Sequence, residues 1–308
     1  MSAASGIERQ EAGAPEAPAA ESRRRETLRL VVRNRLALGA LVVLALLVVV
    51  AALGPVLAPY GANEIDIGNR LSGPSGAHPF GTDELGRDVF SRVLLGARVS
   101  LEVGFVAVGI ALVAGVLGGL LAGFYGQLVD DAIMRFMDVL FAFPAILMAI
   151  AVLAILGPGT TNAMVAIGIV YTPIFARVTR ASVLSVREEV YVRAARASGA
   201  SDLRLMRLHV LPNVMAPIIV QTSVSLAFAI LSEAALSFIG LGTQPPDPSW
   251  GRMLSDGRGF LEDAWWMALF PGLAIFATVL SFNVLGDALR DVLDPRQRSA
   301  IESQGVKA

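Results

Sequence analysis

The chain has 308 residues, of which 55% are hydrophobic and 17% charged, with a mean hydropathy of +0.63 and a formal net charge of −1. Soluble domains are roughly 45–50% apolar and about 25% charged, so this composition points to a membrane protein. The near-zero net charge leaves no basic field for nucleic acid, and the absence of cysteine removes disulfides, thiolate nucleophiles and cysteine-ligated metals together.

In chain order, residues 1 to about 27 are rich in Ala, Glu, Ser and Pro without a helical period, which reads as a disordered tail. Arg23, Arg24, Arg25, Arg29, Arg33 and Arg35 follow, ahead of an uncharged stretch from Leu36 to Pro59. That stretch can cross a hydrocarbon core of about 30 Å and is too long for a cleaved signal segment. Further uncharged stretches run over 103–129, 139–176, 210–232 and 264–286. The longest holds the turn signal Gly157-Pro158-Gly159 and reads as two spans. The predicted spans are therefore 36–58, 99–124, 136–156, 162–179, 213–236 and 265–288.

With the N-terminus inside, 19 of the 25 Lys and Arg residues fall on inner segments, which predicts cytoplasmic termini and an even number of spans. This topology puts His78 outside and His209 inside, so the two histidines cannot share a catalytic or metal site. The only lysine, Lys307, is followed by Ala308 rather than Ser or Thr, so no phosphate-binding Gly-x-x-x-x-Gly-Lys-Ser/Thr loop occurs.

Several segments stand out within this frame. Thr82 to Arg98 carries an apolar face of Leu85, Val89, Phe90, Val93, Leu94 and Ala97, with Asp83–Arg87 and Asp88–Arg92 as opposite charges at i, i+4. The spacing predicts an amphipathic helix on the outer surface, either a membrane anchor or a cover over the mouth of a pathway. Gly115, Gly119 and Gly123 allow close helix packing in lipid. Asp138 is expected to pair with Arg135, and Pro144 and Pro173 to interrupt their spans. Between the fourth and fifth spans, Ala194, Ala195 and Ala197 favour a short helix, Gly199 suits its C-cap, and Ser201 or Asp202 starts a second helix ending at Pro212. This loop is either held against lipid phosphates or offers a small-residue tip to another protein's groove. Glu233, near the outer end of the fifth span, must face a cavity or find a partner. Trp250, Trp265 and Trp266 flank the last span, as interfacial indoles do.

The inner loop resembles that of ATP-binding-cassette importer permeases, whose pattern is Glu-Ala-Ala, three residues, Gly, nine residues, Ile-x-Leu-Pro. Ala194, Ala195, Gly199, Leu211 and Pro212 match, while Arg193 stands at the Glu and His209 at the Ile. His78 to Arg92, Ser237 to Gly242 with Pro245-Pro246 and Ser249-Trp250-Gly251, and Asn283 to Asp287 with Asp294-Pro295-Arg296 resemble the dipeptide/oligopeptide/nickel branch, and the long outer segment its C-type permease. The stretch from Asp138 to Pro144 is also similar to glutathione-importer permeases.

The resemblance implies an all-α polytopic protein of about six transmembrane helices with the type I ABC importer transmembrane fold, in a bacterial inner membrane. It divides the chain into a cytoplasmic tail (1–35), a first helix with its external segment (36–98), a transmembrane domain (99–291) with a coupling loop at about 187–212, and a second tail (292–308). Tyr191, Arg193, Ala194, Ala195, Gly199, Ala200, Asp202, Leu211 and Pro212 would dock an ATPase, and Glu233, Ser237 and Phe238 are candidates for a pathway or gate. The implied partners are a second, related permease, two ATP-binding subunits, an external substrate-binding protein and the lipid bilayer. The second permease is then one surface the glycine stripe could meet. No cofactor is expected on this chain, with ATP and Mg²⁺ held by the ATPase subunits. Peptides are the expected cargo, with glutathione and then nickel as alternatives. A stand-alone secondary transporter or channel is the competing class. It usually carries paired intramembrane ionisable residues or an internal repeat, where this chain offers mainly Glu233.

Overall fold

The computed structural model describes residues 34–293; the predicted N-terminal tail, its arginines up to Arg33, and the segment from Asp294 onward lie outside the described residues. Helix α1 (Arg35–Leu57) starts at Asn34, whose Oδ1 accepts from the amides of Leu36 and Ala37 and so satisfies donors that a first turn leaves unpaired. An extended segment with a short 3₁₀ turn (Ile67–Asn69) leads to α2 (Val89–Tyr125), 37 residues and about 55 Å long.

The predicted amphipathic helix over 82–98 does not form as one piece. Asp83 Oδ1 accepts from the amides of Leu85 and Arg87, both at 2.9 Å, and Gly86 adopts φ +79°, so the chain turns tightly here. Asp88 then caps α2 by accepting from Ser91 N at 2.7 Å. From Val89 the helix continues without a break into the second span, and it is buried in the bundle rather than laid on the surface.

Next come α3 (Gln127–Phe141) and α4 (Ala145–Leu156), bent by 93° against each other. This corrects the single span predicted at 136–156. Pro144 has no amide to continue α3, and α3 carries Asp130, Asp131, Arg135 and Asp138, which resist burial in lipid. The 12 residues of α4 reach only about 18 Å. Helix α5 (Thr160–Val186) runs continuously through Pro173, whereas Pro144 does break its segment.

After α6 (Val190–Ala197), α7 (Asp202–Phe238) passes through Pro212 into the fifth span instead of ending there. A π-turn over Leu205–Val210 widens the helix just before the proline, and Asn213 Nδ2 donates to His209 O at 2.7 Å, pairing one of the loosened carbonyls. Helix α8 (Trp250–Gly257) and α9 (Trp266–Leu293) complete the described chain.

The central seam is α2 against α5. A Cβ on Gly119 would lie 2.3 Å from Ala176 O, and Cβ atoms on Gly115 and Gly123 would strike Phe175 and Val183. The glycine stripe is therefore consumed within this chain and is not left for a second permease. Ala37 of α1 packs on Ala288 of α9, and Arg290, Leu293 and Asn213 line one cavity, so both described ends sit at the same end of the bundle as α6. Among the described residues five helices are long and apolar enough to cross a membrane, or six if the bent α3–α4 pair is taken as one span. That pair must cross: α2 ends beside Arg187, while the turn before α5 is bonded to Leu241 at the far end.

Two tryptophans are placed differently from expectation. Trp250 is 1% exposed and donates from Nε1 to Val93 O at 3.0 Å; Trp266 is buried and donates to Thr82 O. Only Trp265 is exposed, at 49%. Their buried N–H groups bind the α7–α9 segment to the start of α2 and to the turn before it rather than anchoring it to an interface.

Candidate functional site

At one end of the bundle, α6 projects between the end of α5 and the start of α7. Its eight residues are closed by a C-terminal turn in which Ser198 N donates to Ala194 O and Ala200 N to Ala195 O, with Gly199 at φ +85°. Only a left-handed residue allows that pair of bonds, which is why glycine stands there. A single side chain of the helix, Val192, is fully buried, at 1% exposure, and the helix packs on the Leu205–Val210 turn of α7, with Ala195 and Ala200 half-buried. The anchor packs on the π-turn, so α6 and the base of α7 hold each other.

Tyr191, Arg193, Ala194, Gly199, Asp202 and Pro212 are exposed, and Leu211 is half-buried. The exposed side also carries Val190 at 72%, Leu203 at 65% and Leu208 at 63%, with Arg193, Arg196, Arg204 and Arg207 between them. A cavity of about 360 Å³ opens among Ser201, Leu203, Arg204, Arg207 and Leu208. Contiguous exposed apolar side chains rimmed by charge mark an interaction surface. The Tyr191 ring lies 6.5 Å from that of His209. Burial, with Glu189 second, pushes its phenol up, so it stays a neutral hydrogen-bonding group at physiological pH.

Sequence reasoning missed what ties this surface to the bundle. Arg187 donates to Gly123 O at 2.7 Å, capping the end of α2, and Arg196 lies over the Phe124 ring at 5.2 Å. Arg180 of α5 grips Asp130 of α3 with two bonds, 2.5 and 2.6 Å. Arg177 pairs with Asp138 at 2.7 Å and covers Phe141, so the expected Asp138–Arg135 pair is replaced by one between helices. The 177–207 arginines were legible as a topology signal; the partners of Arg177, Arg180, Arg187 and Arg196 lie 39 to 72 residues away and carry no local spacing.

The far end is closed differently. Glu233 and Ser237 are both 0% exposed, and Ser237 Oγ donates to Glu233 Oε1 at 2.7 Å. Phe238 is 38% exposed and lies under Arg258 at 5.7 Å. Arg87 pairs with Asp83 at 2.6 Å and Glu84 at 3.2 Å, Arg92 lies 3.7 Å from Asp83, and His78 bonds Asp88 at 3.0 Å. Burial first, and then the neighbouring Asp83 carboxylate, raises the Glu84 carboxyl. Among the described residues no group of three or more His, Cys, Asp or Glu is placed to hold a metal ion. His78 and His209 lie at opposite ends of the bundle, one packed against the start of α2 and the other beside α6.

Comparison with known proteins adds a third line. The profile of the family described as "binding-protein-dependent transport system inner membrane component" matches residues 115–299, and that of the "N-terminal TM domain of oligopeptide transport permease C" matches 22–74. The chain is 49% identical over 275 residues to a dipeptide transport system permease protein of Alkalihalophilus pseudofirmus, covering 89% of this chain and 90% of that one. It is 46% identical over 276 residues to a glutathione transport system permease protein of Pectobacterium atrosepticum, covering 89% and 92%. In fold it is similar to the inward-facing MetNI methionine ABC transporter, with a TM-score of 0.52, 19% identity, and coverage of 67% of this chain and 97% of that chain.

Proposed function

The chain belongs to the family of binding-protein-dependent transport system inner membrane components, and on that premise we propose that it forms half of the pathway of an ATP-driven importer of dipeptides and short oligopeptides. The cargo assignment is supported by relatives 46 to 49% identical whose names specify dipeptides, di/tripeptides and glutathione. A second, related permease would complete the pathway, two ATP-binding subunits would hold ATP and Mg²⁺, and an external protein would deliver the peptide across a bacterial inner membrane.

One observation carries the mechanism: α6 is exposed on its outer side yet held on its inner side against two membrane helices, α7 and α2, and it follows directly on a third, α5. Val192 seats it on α7, Arg196 on the end of α2, and Arg187, one turn before it, caps that same end. A push on Tyr191, Arg193, Ala194 and the Gly199 turn by a closing ATPase pair would therefore move α2, α5 and α7 together. The bidentate Arg180–Asp130 pair would carry α3 with them. Arg193, at a position where the family pattern has an acid, would call for an acidic contact on the ATPase.

The test is uptake by the reconstituted complex. Vesicles holding both permeases and both ATPase subunits, given the binding protein and a labelled dipeptide, are expected to accumulate it only with ATP and Mg²⁺. Competition by glutathione decides between tripeptide and dipeptide cargo. Uptake without the ATPase subunits would refute the importer reading.

A further inference from the structure

Glu233 is a fully buried carboxyl near the end of a spanning helix, without an ion pair among the described residues, and the groups around it are hydroxyls. Its Oε1 accepts from Ser237 at 2.7 Å, and Ser100, Thr243 and Ser249 surround the same carboxyl. All five residues are at most 1% exposed. They come from three places: Ser100 from α2, Glu233 and Ser237 from α7, and Thr243 and Ser249 from the link between α7 and α8.

The direction of the bonds is what makes this a cage. Ser237 Oγ accepts from Thr243 N at 3.0 Å, Ser100 Oγ from Trp250 N at 3.1 Å, and Ser249 Oγ from Arg252 N at 3.2 Å. Three of the four hydroxyl oxygens thus accept from a backbone amide, and Thr243 Oγ1 accepts from the Thr160 hydroxyl at 3.3 Å, so each O–H proton is left to point elsewhere. The carboxyl oxygens of Glu233 are the natural common target of these protons.

We propose that Glu233 is a positioning residue for the transport cycle: its carboxylate latches the α7–α8 link onto α2, and this end of the pathway opens when the latch is released. The proposal rests on the permease reading above for the meaning of open and closed. Three observations converge on it. The link is held at both margins, by Thr243 at its start and by Ser249 and Trp250 at its end, while Pro245, Pro246 and Asp247 between them are exposed. Gly159 N donates to Leu241 O at 3.1 Å, so the turn between α4 and α5 rides on the same link. Finally, of the four hydroxyls around Glu233 only Ser237 meets it in full hydrogen-bond geometry, on Oε1, and the buried Oε2 is left with weaker contacts. A polar atom left short of partners raises the energy of the closed arrangement, as a device that must also open requires.

The absence of cysteine makes the test clean. Spin labels at Asp247→Cys on the link and Arg98→Cys on α2, both exposed positions, report the distance between the two elements in the reconstituted complex. Without nucleotide, the wild-type latch should give one narrow distance. Glu233→Gln, whose amide N–H₂ opposes the hydroxyl protons, should raise the fraction of long distances at least threefold. Glu233→Asp, which keeps the acceptor, should recover most of the narrow population. Ser100→Ala removes the α2 arm, together with the bond that Ser100 accepts from Trp250 N, and should also lengthen the distance; an unchanged distance there refutes the latch even if the glutamine variant does not assemble. Unchanged distributions in both Glu233→Gln and Ser100→Ala would overturn the proposal, as would lost transport with an unchanged distance. The distance needs no cargo, so failure of peptide uptake in the wild type would sink the cargo reading and leave this one standing.

Discussion

Substitution of Gly199 separates backbone strain from docking. The residue sits at φ +85°, where an L side chain costs about 1–2 kcal/mol, partly offset by about 0.4–1 kcal/mol from the stiffer unfolded chain. Nothing lies within 4 Å of an ideal Cβ built there, so side-chain size adds no cost inside this chain. Gly199→Ala and Gly199→Trp should therefore destabilise the permease by the same amount, about 1 kcal/mol, and Gly199→Asn by less because Asn tolerates the left-handed region. Docking should discriminate sharply between them. A tryptophan forced into a packed interface costs roughly 1–3 kcal/mol, or about 5- to 150-fold in affinity at 1.4 kcal/mol per tenfold. Thermal unfolding of the purified permease pair measures the first quantity, and titration of the ATPase subunits onto that pair in nanodiscs the second. If the Trp variant binds the ATPase subunits within twofold of the Ala variant, the Gly199 turn is not in the interface.

Asp130→Ala should lower stability by about 1 kcal/mol, since the pair with Arg180 is only partly buried, and Asp130→Arg combined with Arg180→Asp should recover part of it; a double-mutant cycle on thermal unfolding measures the coupling. If the pair also carries motion into α3, the single variant should consume more ATP per peptide imported, and the swap should restore the ratio. Glu84 gives a pH prediction. Its carboxyl is raised above the usual value near 4.5, so the folded state holds a proton that the unfolded state has lost, and stability should fall as pH rises from about 4.5 through the folded value. Glu84→Gln should flatten that slope in a denaturation series, and an unchanged slope would remove Glu84 as its source.

Particular residues show where reading the sequence succeeds and where it stops. Gly199 was legible because a left-handed cap is a local requirement, and the exposed α6 follows from eight neighbouring residues. The pairing of Asp138 was misread because Arg135 is the near candidate by spacing, while Arg177 is near only after α3 folds across α5. The helix over 82–98 failed for a related reason. Its apolar period is real, but the Asp83 turn supplies hydrogen bonds that compete with the first helical turn, and Asp88 restarts the count.

Hydropathy and charge alone determined that this chain crosses a membrane about six times and which segments lie at its ends, because lipid demands long uncharged helices and leaves the rest to mark the ends. Tertiary structure decided what the few polar groups inside do. The glycine stripe meets α5, two of three tryptophans lie buried as hydrogen-bond donors, and Glu233 finds hydroxyls from three separate segments. In a low-dielectric interior a polar group is defined by its partners, and here those partners lie up to 184 residues away.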